Sequence, residues 1–180
     1  LDDEQLCEKF NMALTAYKTR VRELSEKVLA IREKRIHPGL DDKTLLSWNA
    51  LMVTGYLDAY DAFQEKKWLE TAERNIKFVL DKMVSADGGL FHSYKNGKAT
   101  VNGFLEDYAF FIQALIRMYQ VTFDIIYLHK ANELTEYTLE NFSDPAHDLL
   151  YFSSAKDAPL ITRSKEIQDN VIPASNSQVA

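Results

Sequence analysis

Residues 45–57 read LLSWNALMVTGYL and contain no charged side chain. Coiled as a helix, this segment is apolar on nearly every face, and such a helix is buried on all sides. Asp41 or Asp42 is suited to cap its start, so we predict a helix over residues 43–63. In residues 66–84 the apolar side chains instead form one stripe, as in a helix with one face in water. The predicted unit is an inner helix followed by an outer helix.

The same pair of helices recurs further along the chain. Residues 103–116, GFLEDYAFFIQALI, predict a second inner helix over residues 104–123, and residues 126–142 predict a second outer helix. An ungapped offset of 59 residues pairs Trp68 with Tyr127 and Ala72 with Ala131. A period of this length with two helices per unit indicates an array of helical hairpins. Because buried helices alternate with half-buried ones, we predict an all-α fold of the closed, double-layered α/α barrel type.

The first forty residues follow a simpler pattern. Apolar side chains recur every three or four positions from Leu6 to Ile31, which predicts one amphipathic helix over about residues 4–35. A coiled coil is the other interpretation of this spacing. Pro38 ends the helix, because proline disfavours α geometry at the residue before it. We expect residues 1–180 to form a single domain, with a further helix beginning near residue 175.

The connections between the predicted helices differ in length. Inner-to-outer links span a few residues, whereas residues 85–102 and 143–174 form long outer-to-inner links. Long structureless loops are uncommon unless they are functional. Asn96-Gly97 predicts a small β-hairpin in the first loop, and LLYF followed by PLITR predicts another in the second. Since all inner helices run in the same direction, both loops emerge above the N-termini of the inner helices.

Composition excludes several classes of function. With 46% hydrophobic and 27% charged residues, the chain can bury a core. A net charge of −6 without a basic stripe excludes a typical nucleic-acid binder. The longest uncharged stretch, 44–57, is too short to span a bilayer, so we expect no membrane partner. We expect a cytoplasmic protein, because no secretory signal is visible, and a piece of a longer chain, because residue 1 is not Met.

Polar clusters precede or begin each predicted inner helix, where free backbone N–H groups carry a partial positive charge. Helix capping explains Asp41 and Ser175 equally well. It explains Trp48, Asn49 and Tyr108 less well, because these lie within predicted buried helices. The candidate binding residues are Asp41, Lys43, Trp48, Asn49, Tyr108, Arg163, Ser175 and Asn176.

Paired carboxylates suit glycoside chemistry, in which one acid and one base or nucleophile flank the bond. Asp42 with Glu106 or Asp107 is the candidate catalytic pair. The alternative is that these carboxylates pair with Lys43 or Arg163 and join adjacent hairpins. Likewise, Trp48 and Tyr108 suit stacking on sugar rings, but most aromatic side chains at helical spacing belong to a core.

The four histidines do not have metal-ligand spacing, and Cys7 is the single cysteine, so we predict no metal site and no cofactor. His92 and His147 lie in the two long loops and could act as an acid or a base. For each histidine alone, an ordinary surface residue is the simpler interpretation.

Three segments resemble the spermatogenesis-associated protein 20 family, also described as thioredoxin-domain-containing proteins. They are RIHPGLDDKTLLSWNALM, GFLEDYAFFIQALIRMYQVTFD and LITRSKEIQDNVIPASNSQVA, which cover residues 35–52, 103–124 and 160–180. The order DDK, WN, EDYA and PASNS carries the resemblance. On these motifs the family positions are Arg35, Pro38, Asp41, Asp42, Lys43, Trp48, Asn49, Glu106, Asp107, Tyr108, Arg163, Glu166, Asp169, Pro173, Ser175, Asn176 and Ser177.

The resemblance implies an N-terminal thioredoxin-like domain followed by an (α/α)6 barrel of the six-hairpin glycosidase type, similar to N-acylglucosamine 2-epimerases. This chain would then be the first part of the barrel, a partial six-hairpin toroid with small β-hairpins in its long loops. Its partners would be a sugar or another small-molecule substrate, the remaining hairpins and the thioredoxin-like domain. Related sugar epimerases use histidine as acid and base, whereas no histidine here falls on a predicted inner helix.

We therefore predict a carbohydrate-binding or carbohydrate-modifying barrel, glycosidase-like or epimerase-like. The alternative is a non-catalytic scaffold that binds a peptide or supports the redox-like domain. An apolar flank left for the next hairpins would also promote self-association of the isolated chain.

Overall fold

The computed structural model describes residues 2–158 and 161–180. The chain divides into two compact units, Leu1–Asp41 and Asp42–Ala180. The first unit contains helices α1 (Asp3–Lys9) and α2 (Leu14–Arg32). The predicted helix over residues 4–35 is therefore divided in two. Asn11 lies between the two helices with a φ of 49°, a left-handed conformation that ends an α-helix and that asparagine tolerates.

The second unit is built from two helical hairpins and a fifth helix. The first hairpin is α3 (Leu46–Phe63) with α4 (Lys66–Lys82), and the second is α5 (Leu105–Thr122) with α6 (Ile125–Phe142). The short helix α7 (Ser175–Val179) follows the second long loop. Helix α5 packs against α3 on one side and α7 on the other, so these three form the inner layer.

The two hairpins have the same register. Helices α3 and α5 begin 59 residues apart, and both end at a residue in the left-handed conformation, Gln64 and Phe123. The left-handed residue stops each inner helix and turns the chain into the outer helix. This agreement confirms the predicted repeat of inner and outer helices.

Burial differs most between helices α5 and α4, whereas α3 and α6 bury five residues each. Helix α5 buries nine of its residues, including Phe110 and Phe111, whereas α4 buries only Ala72, Ile76 and Val79. Helix α3 differs from the prediction of burial on all sides, because Trp48 is 65% exposed. Helix α4 has one apolar and one polar face, as predicted. Its apolar face is turned towards the inner helices, so the core lies between the layers.

A three-stranded antiparallel sheet covers the start of α3. It is formed by β1 (Thr44–Leu45), β2 (Phe91–Lys95) and β3 (Lys98–Asn102), in that order. Asn96 and Gly97 connect β2 to β3 with φ values of 51° and 79°, as in a two-residue hairpin turn. The predicted first hairpin is confirmed, and β1 occupies residues that were expected to begin a helix.

The described residues of the second long loop form no strands of the predicted hairpin. Among the described residues of segment 143–174, pairing is limited to a single bridge between Asp144 and His147. Residues 159 and 160, which the prediction placed in the second strand, lie outside the described residues. In the same described part of the chain, no helix has the length and apolar character needed to cross a membrane.

Candidate active site

Asp107 joins the starts of the two inner helices α3 and α5. Its carboxylate is fully buried, and Oδ1 accepts a hydrogen bond of 3.0 Å from the backbone N–H of Ser47 in the first turn of α3. Oδ2 accepts one of 2.9 Å from Phe104 N, the residue that precedes α5. Helix α3 is thus capped by the next inner helix, and not by Asp41 or Asp42 as predicted.

His92 reaches this carboxylate from strand β2. Its Nδ1 lies 2.9 Å from Asp107 Oδ2, and the ring packs edge-on against Phe104. The hydrogen bond to Asp107 raises the pKa of His92 above its ordinary value, while partial burial opposes the rise. Within residues 2–158 and 161–180, Nε2 of this ring makes no hydrogen bond, and the side chain is 20% exposed. Asp107 thus occupies one ring nitrogen and fixes the orientation of the imidazole.

Glu106 lies next to this pair at the start of α5. Its Oε1 accepts a hydrogen bond of 3.4 Å from Ser47 Oγ. Partial burial is the main cause that raises the pKa of Glu106, and the negative charge of Asp107 raises it further. Polar atoms of His92, Glu106 and Asp107 all lie within 4.8 Å of one another. A carboxylic acid that holds its proton more tightly than usual is suited to donate that proton to a substrate.

The start of α7 is linked to the same cluster. Glu166 Oε2 accepts a hydrogen bond of 3.0 Å from Ser175 N, and the charge of Glu166 contributes to the raised pKa of Glu106. Ser175 itself is fully buried, and its hydroxyl has no hydrogen-bond partner within the described residues. The cluster of His92, Glu106 and Asp107 therefore lies at the starts of α3 and α5, and the first turn of α7 is linked to it through the charge of Glu166.

Asn176 holds the second long loop in place. Its Oδ1 accepts a hydrogen bond of 2.8 Å from Leu150 N, and its Nδ2 donates to the carbonyls of Leu150 and Glu166, each at 2.9 Å. All of its polar groups are used, and the residue is buried. We expected Asn176 to bind substrate, but its contacts give it a structural role.

The structure does not bring the predicted catalytic pair together. Asp42 is half exposed, forms an ion pair with Lys95 on β2, and is absent from the cluster around Asp107. The hydrogen bond from Lys95 lowers the pKa of Asp42. Asp107 was the other candidate, but a fully buried carboxylate cannot touch a substrate. Of the three predicted catalytic carboxylates, Glu106 is the one whose catalytic role stays a prediction.

The roles predicted for Tyr108 and Arg163 also differ from their contacts in the structure. Tyr108 is 2% exposed, its hydroxyl accepts a hydrogen bond of 2.8 Å from Leu90 N, and its ring stacks on Tyr137. The guanidinium of Arg163 donates to the carbonyls of Ser153 and Asn141 and stacks on Tyr151 at 4.1 Å. Both were expected to line a sugar site, and both instead hold the core and the loop together.

The remaining predicted binding residues occupy different environments. Asn49 Nδ2 donates to Leu45 O at 2.7 Å, and its Oδ1 accepts from Asn75 on α4 at 2.8 Å, so it ties the inner to the outer helix. Trp48 follows Ser47 directly and exposes most of its ring. Lys43 lies close enough for its charge to lower the pKa of His92. Asp41 belongs to the other compact unit.

Reasoning from sequence missed Ser47 and gave His92 no partner. His92 is brought to the cluster because β2 pairs with β1, which leads directly into α3, and no local pattern in the sequence indicates this pairing. His92, Glu106 and Asp107 are also residue types that bind metal ions. Asp107, however, already accepts hydrogen bonds from Ser47, Phe104 and His92, which favours an acid–base cluster over a metal site.

The raised pKa of His92 predicts a pH-dependent contribution to stability. Because protonated His92 is favoured in the folded state, its contribution is fully present below pH 6.5 and is lost as the pH rises through the folded pKa. We expect the difference in unfolding free energy between the wild type and His92→Gln to shrink as the pH rises. Urea denaturation at a series of pH values measures this difference. A difference that grows with pH would contradict a raised pKa of His92 in the folded protein.

The fold places the chain in a known structural class. An α-mannanase of glycoside hydrolase family 76 from Bacteroides thetaiotaomicron superposes with a TM-score of 0.59 and 23% identity, covering 74% of this chain and 36% of that one. Cellobiose 2-epimerase from Bacillus thermoamylovorans superposes with a TM-score of 0.57 and 14% identity, covering 62% of this chain and 32% of that one. At these identities the likeness concerns the fold alone. The chain shares the fold of part of these α/α toroids, as predicted.

The relationship in sequence is more specific. The chain is homologous to spermatogenesis-associated protein 20, and it is 31% identical to the human protein over 94% of its own length, which confirms the resemblance seen in its motifs. It spans about a quarter of the length of the curated relatives it matches. No protein-family model matches the chain.

Proposed function

We propose that the starts of the inner helices form part of a carbohydrate-modifying site in which His92 accepts a proton from the sugar and Glu106 donates one. The observation that carries the proposal is the cluster of His92, Glu106 and Asp107 within 4.8 Å at the common end of α3 and α5. The buried Asp107 is a positioning residue, because a carboxylate bonded to one imidazole nitrogen fixes the orientation of the ring and leaves the other nitrogen for catalysis.

A base and a weak acid side by side suit proton transfer at a carbon next to a carbonyl group. This is the type of reaction that changes the configuration of a sugar at C2. The histidine that an epimerase-like reaction needs comes from strand β2 and not from an inner helix. The fold neighbours include proteins that their titles describe as an α-mannanase and a cellobiose 2-epimerase, which supports a sugar as the substrate.

Glycoside hydrolysis is the second candidate. It requires two carboxylates that reach the substrate, and Asp107 is too deeply buried to be one of them. The observation in its favour is Glu166, an exposed residue whose charge acts on Glu106. A non-catalytic scaffold receives less support, because Glu106 lies with His92 and Asp107 in one cluster of titratable groups.

We infer in addition that further hairpins complete the ring begun by α3–α6, since the matching relatives are about four times as long as this chain. Trp48 would then offer its exposed ring as a stacking surface for the sugar. The apolar groove of about 270 Å³ lined by Ile112, Ile116 and Leu139 would receive the next helices. The same groove would drive self-association of the chain on its own.

Deuterium exchange distinguishes the candidates. The full-length protein is incubated with neutral aldoses and disaccharides in D₂O, and deuterium at C2 is read by NMR. We expect exchange in the wild type and a loss of at least about 100-fold in Glu106→Gln and His92→Asn, the lower end of what one acid–base group contributes.

Asp42→Asn is the matched control, because this carboxylate lies outside the cluster and its replacement should leave exchange unchanged. Release of a reducing sugar without deuterium at C2 would replace the epimerase-like proposal by glycoside hydrolysis. Absence of both reactions and of any sugar-induced rise in melting temperature would contradict the carbohydrate proposal as a whole.

A further inference from the structure

Helix α2 carries a narrow apolar stripe. Its members recur at alternating steps of three and four residues, the a and d positions of a heptad repeat, and are Leu14, Tyr17, Val21, Leu24, Val28 and Ile31. Helix α2 contains no buried residue, and the exposed fraction rises from 43% at Val21 to 65% at Val28. Apart from Leu29 at a b position, the larger apolar residues occupy two positions in seven, the seam of a coiled coil, which is narrower than the apolar face of a helix that packs on a globular core.

Four of the five e and g positions of α2 beside this stripe are basic, and Ser25 is the exception. Lys18 and Arg32 occupy e positions, and Arg20 and Lys27 occupy g positions. The glutamates of α2 lie away from the stripe, at the c and f positions Glu23 and Glu26. There they pair with Arg20 at 3.2 Å and with Arg22 at 3.0 Å. The seam is therefore bordered by positive charge along both edges.

This charge pattern argues against a second copy of α2 as the partner. In a parallel pair, Lys27 of one helix would face Arg32 of the other, and in an antiparallel pair each basic edge would face its own equivalent. Like charges at e and g positions disfavour such pairing. An anionic lipid surface also fits poorly, because α2 lacks Trp and Phe and carries Glu23 and Glu26 on its opposite face.

We propose that α2 is a docking surface for an amphipathic helix of a partner protein, with apolar residues at a and d and with glutamate or aspartate at e and g. Such a helix covers the uncovered stripe and places a carboxylate opposite each of Lys18, Arg20, Lys27 and Arg32. Complementary e and g charges of this kind set the choice and the orientation of a helical partner.

Fluorescence anisotropy with two synthetic four-heptad peptides tests the proposal on the whole protein. Both peptides carry Leu at a and d, and one carries Glu and the other Lys at all e and g positions. We expect the acidic peptide to bind at least about tenfold more tightly than the basic one, with the preference weakening as salt is added. The variant with Lys18, Arg20, Lys27 and Arg32 all changed to Glu should reverse the preference.

Two further variants separate docking from non-specific charge attraction. Leu24→Asn places a polar group in the seam and should abolish binding of the acidic peptide, while Arg22→Glu, on the far side of α2, should leave it unchanged. Circular dichroism checks that each variant keeps its helix content. Equal binding of the two peptides, binding that survives Leu24→Asn, a dimer that dissociates in Leu24→Asn, or binding to phosphatidylglycerol vesicles in place of the peptide would each overturn the proposal.

Discussion

Replacement of Asp107 by alanine is expected to lower the free energy of unfolding by about 3–5 kcal/mol, because it removes a buried charged partner from three hydrogen-bonded groups. The backbone N–H groups of Ser47 and Phe104 would lose their acceptor, and His92 would lose the partner of its Nδ1. The starts of α3 and α5 would no longer be joined. Urea denaturation followed by circular dichroism measures the change.

Asp42→Ala is the matched control for this measurement. Asp42 is an exposed carboxylate with one lysine partner, so its removal should leave the free energy of unfolding nearly unchanged. Asp107→Asn keeps the size of the side chain and should fall between the two. A loss below about 1 kcal/mol in Asp107→Ala, the size expected for an ordinary hydrogen bond, would contradict the role assigned to Asp107.

The second large effect is expected at Asn176. Changing it to alanine removes three hydrogen bonds and leaves the buried N–H and carbonyl of Leu150 without partners, which should cost about 2–4 kcal/mol. The second long loop and the start of α7 would loosen together, and hydrogen exchange of the Leu150 amide would accelerate.

Asn132→Ala serves as the comparison, because this asparagine is exposed on α6 and bonds only to Glu136 within the described residues. It should change the free energy of unfolding by less than about 0.5 kcal/mol. An Asn176→Ala protein as stable as Asn132→Ala, with an equally protected Leu150 amide, would show that Asn176 is free to bind a ligand after all.

The layered helices could be predicted because their pattern is local and repeats. The uncharged segments around Ala50 and Phe110 differ from the one-sided segment around Ile76, and the offset of 59 residues fixes where the second hairpin begins. The helix break at Asn11 could not be predicted from periodicity, because the apolar spacing continues through it. Helix α3 begins later than predicted because residues 44–45 pair with β2, a contact distant in sequence.

The position of the polar cluster was easier to predict from the sequence than the residues that form it. The starts of the inner helices do meet, and Glu106 lies there, because helices of the same direction bring their first turns to the same end. Which polar residue reaches a substrate depends on burial that no local pattern reveals. Asp42 and Asp107 look alike in sequence, yet one is exposed beside Lys95 and the other is fully enclosed.

His92 and Tyr108 also show that sequence alone does not reveal which side chains contact each other. A single histidine in a loop gave no reason to expect a carboxylate partner. The antiparallel strands place His92 beside α5, where the carboxylate of Asp107 is its partner. Tyr108 adjoins the acidic pair in sequence, but the helical turn directs its ring into the core, where Leu90 and Tyr137 hold it. Side-chain direction is set by packing that sequence spacing alone does not define.

The NMR titration of the His92 imidazole tests most directly whether Asp107 and Glu106 hold a protonatable base at the shared start of α3 and α5. The wild-type protein should give a pKa for His92 above 6.5, with a clear fall in Asp107→Asn and a smaller one in Glu106→Gln. A His92 pKa at or below 6.5 that neither substitution changes would contradict the site described here.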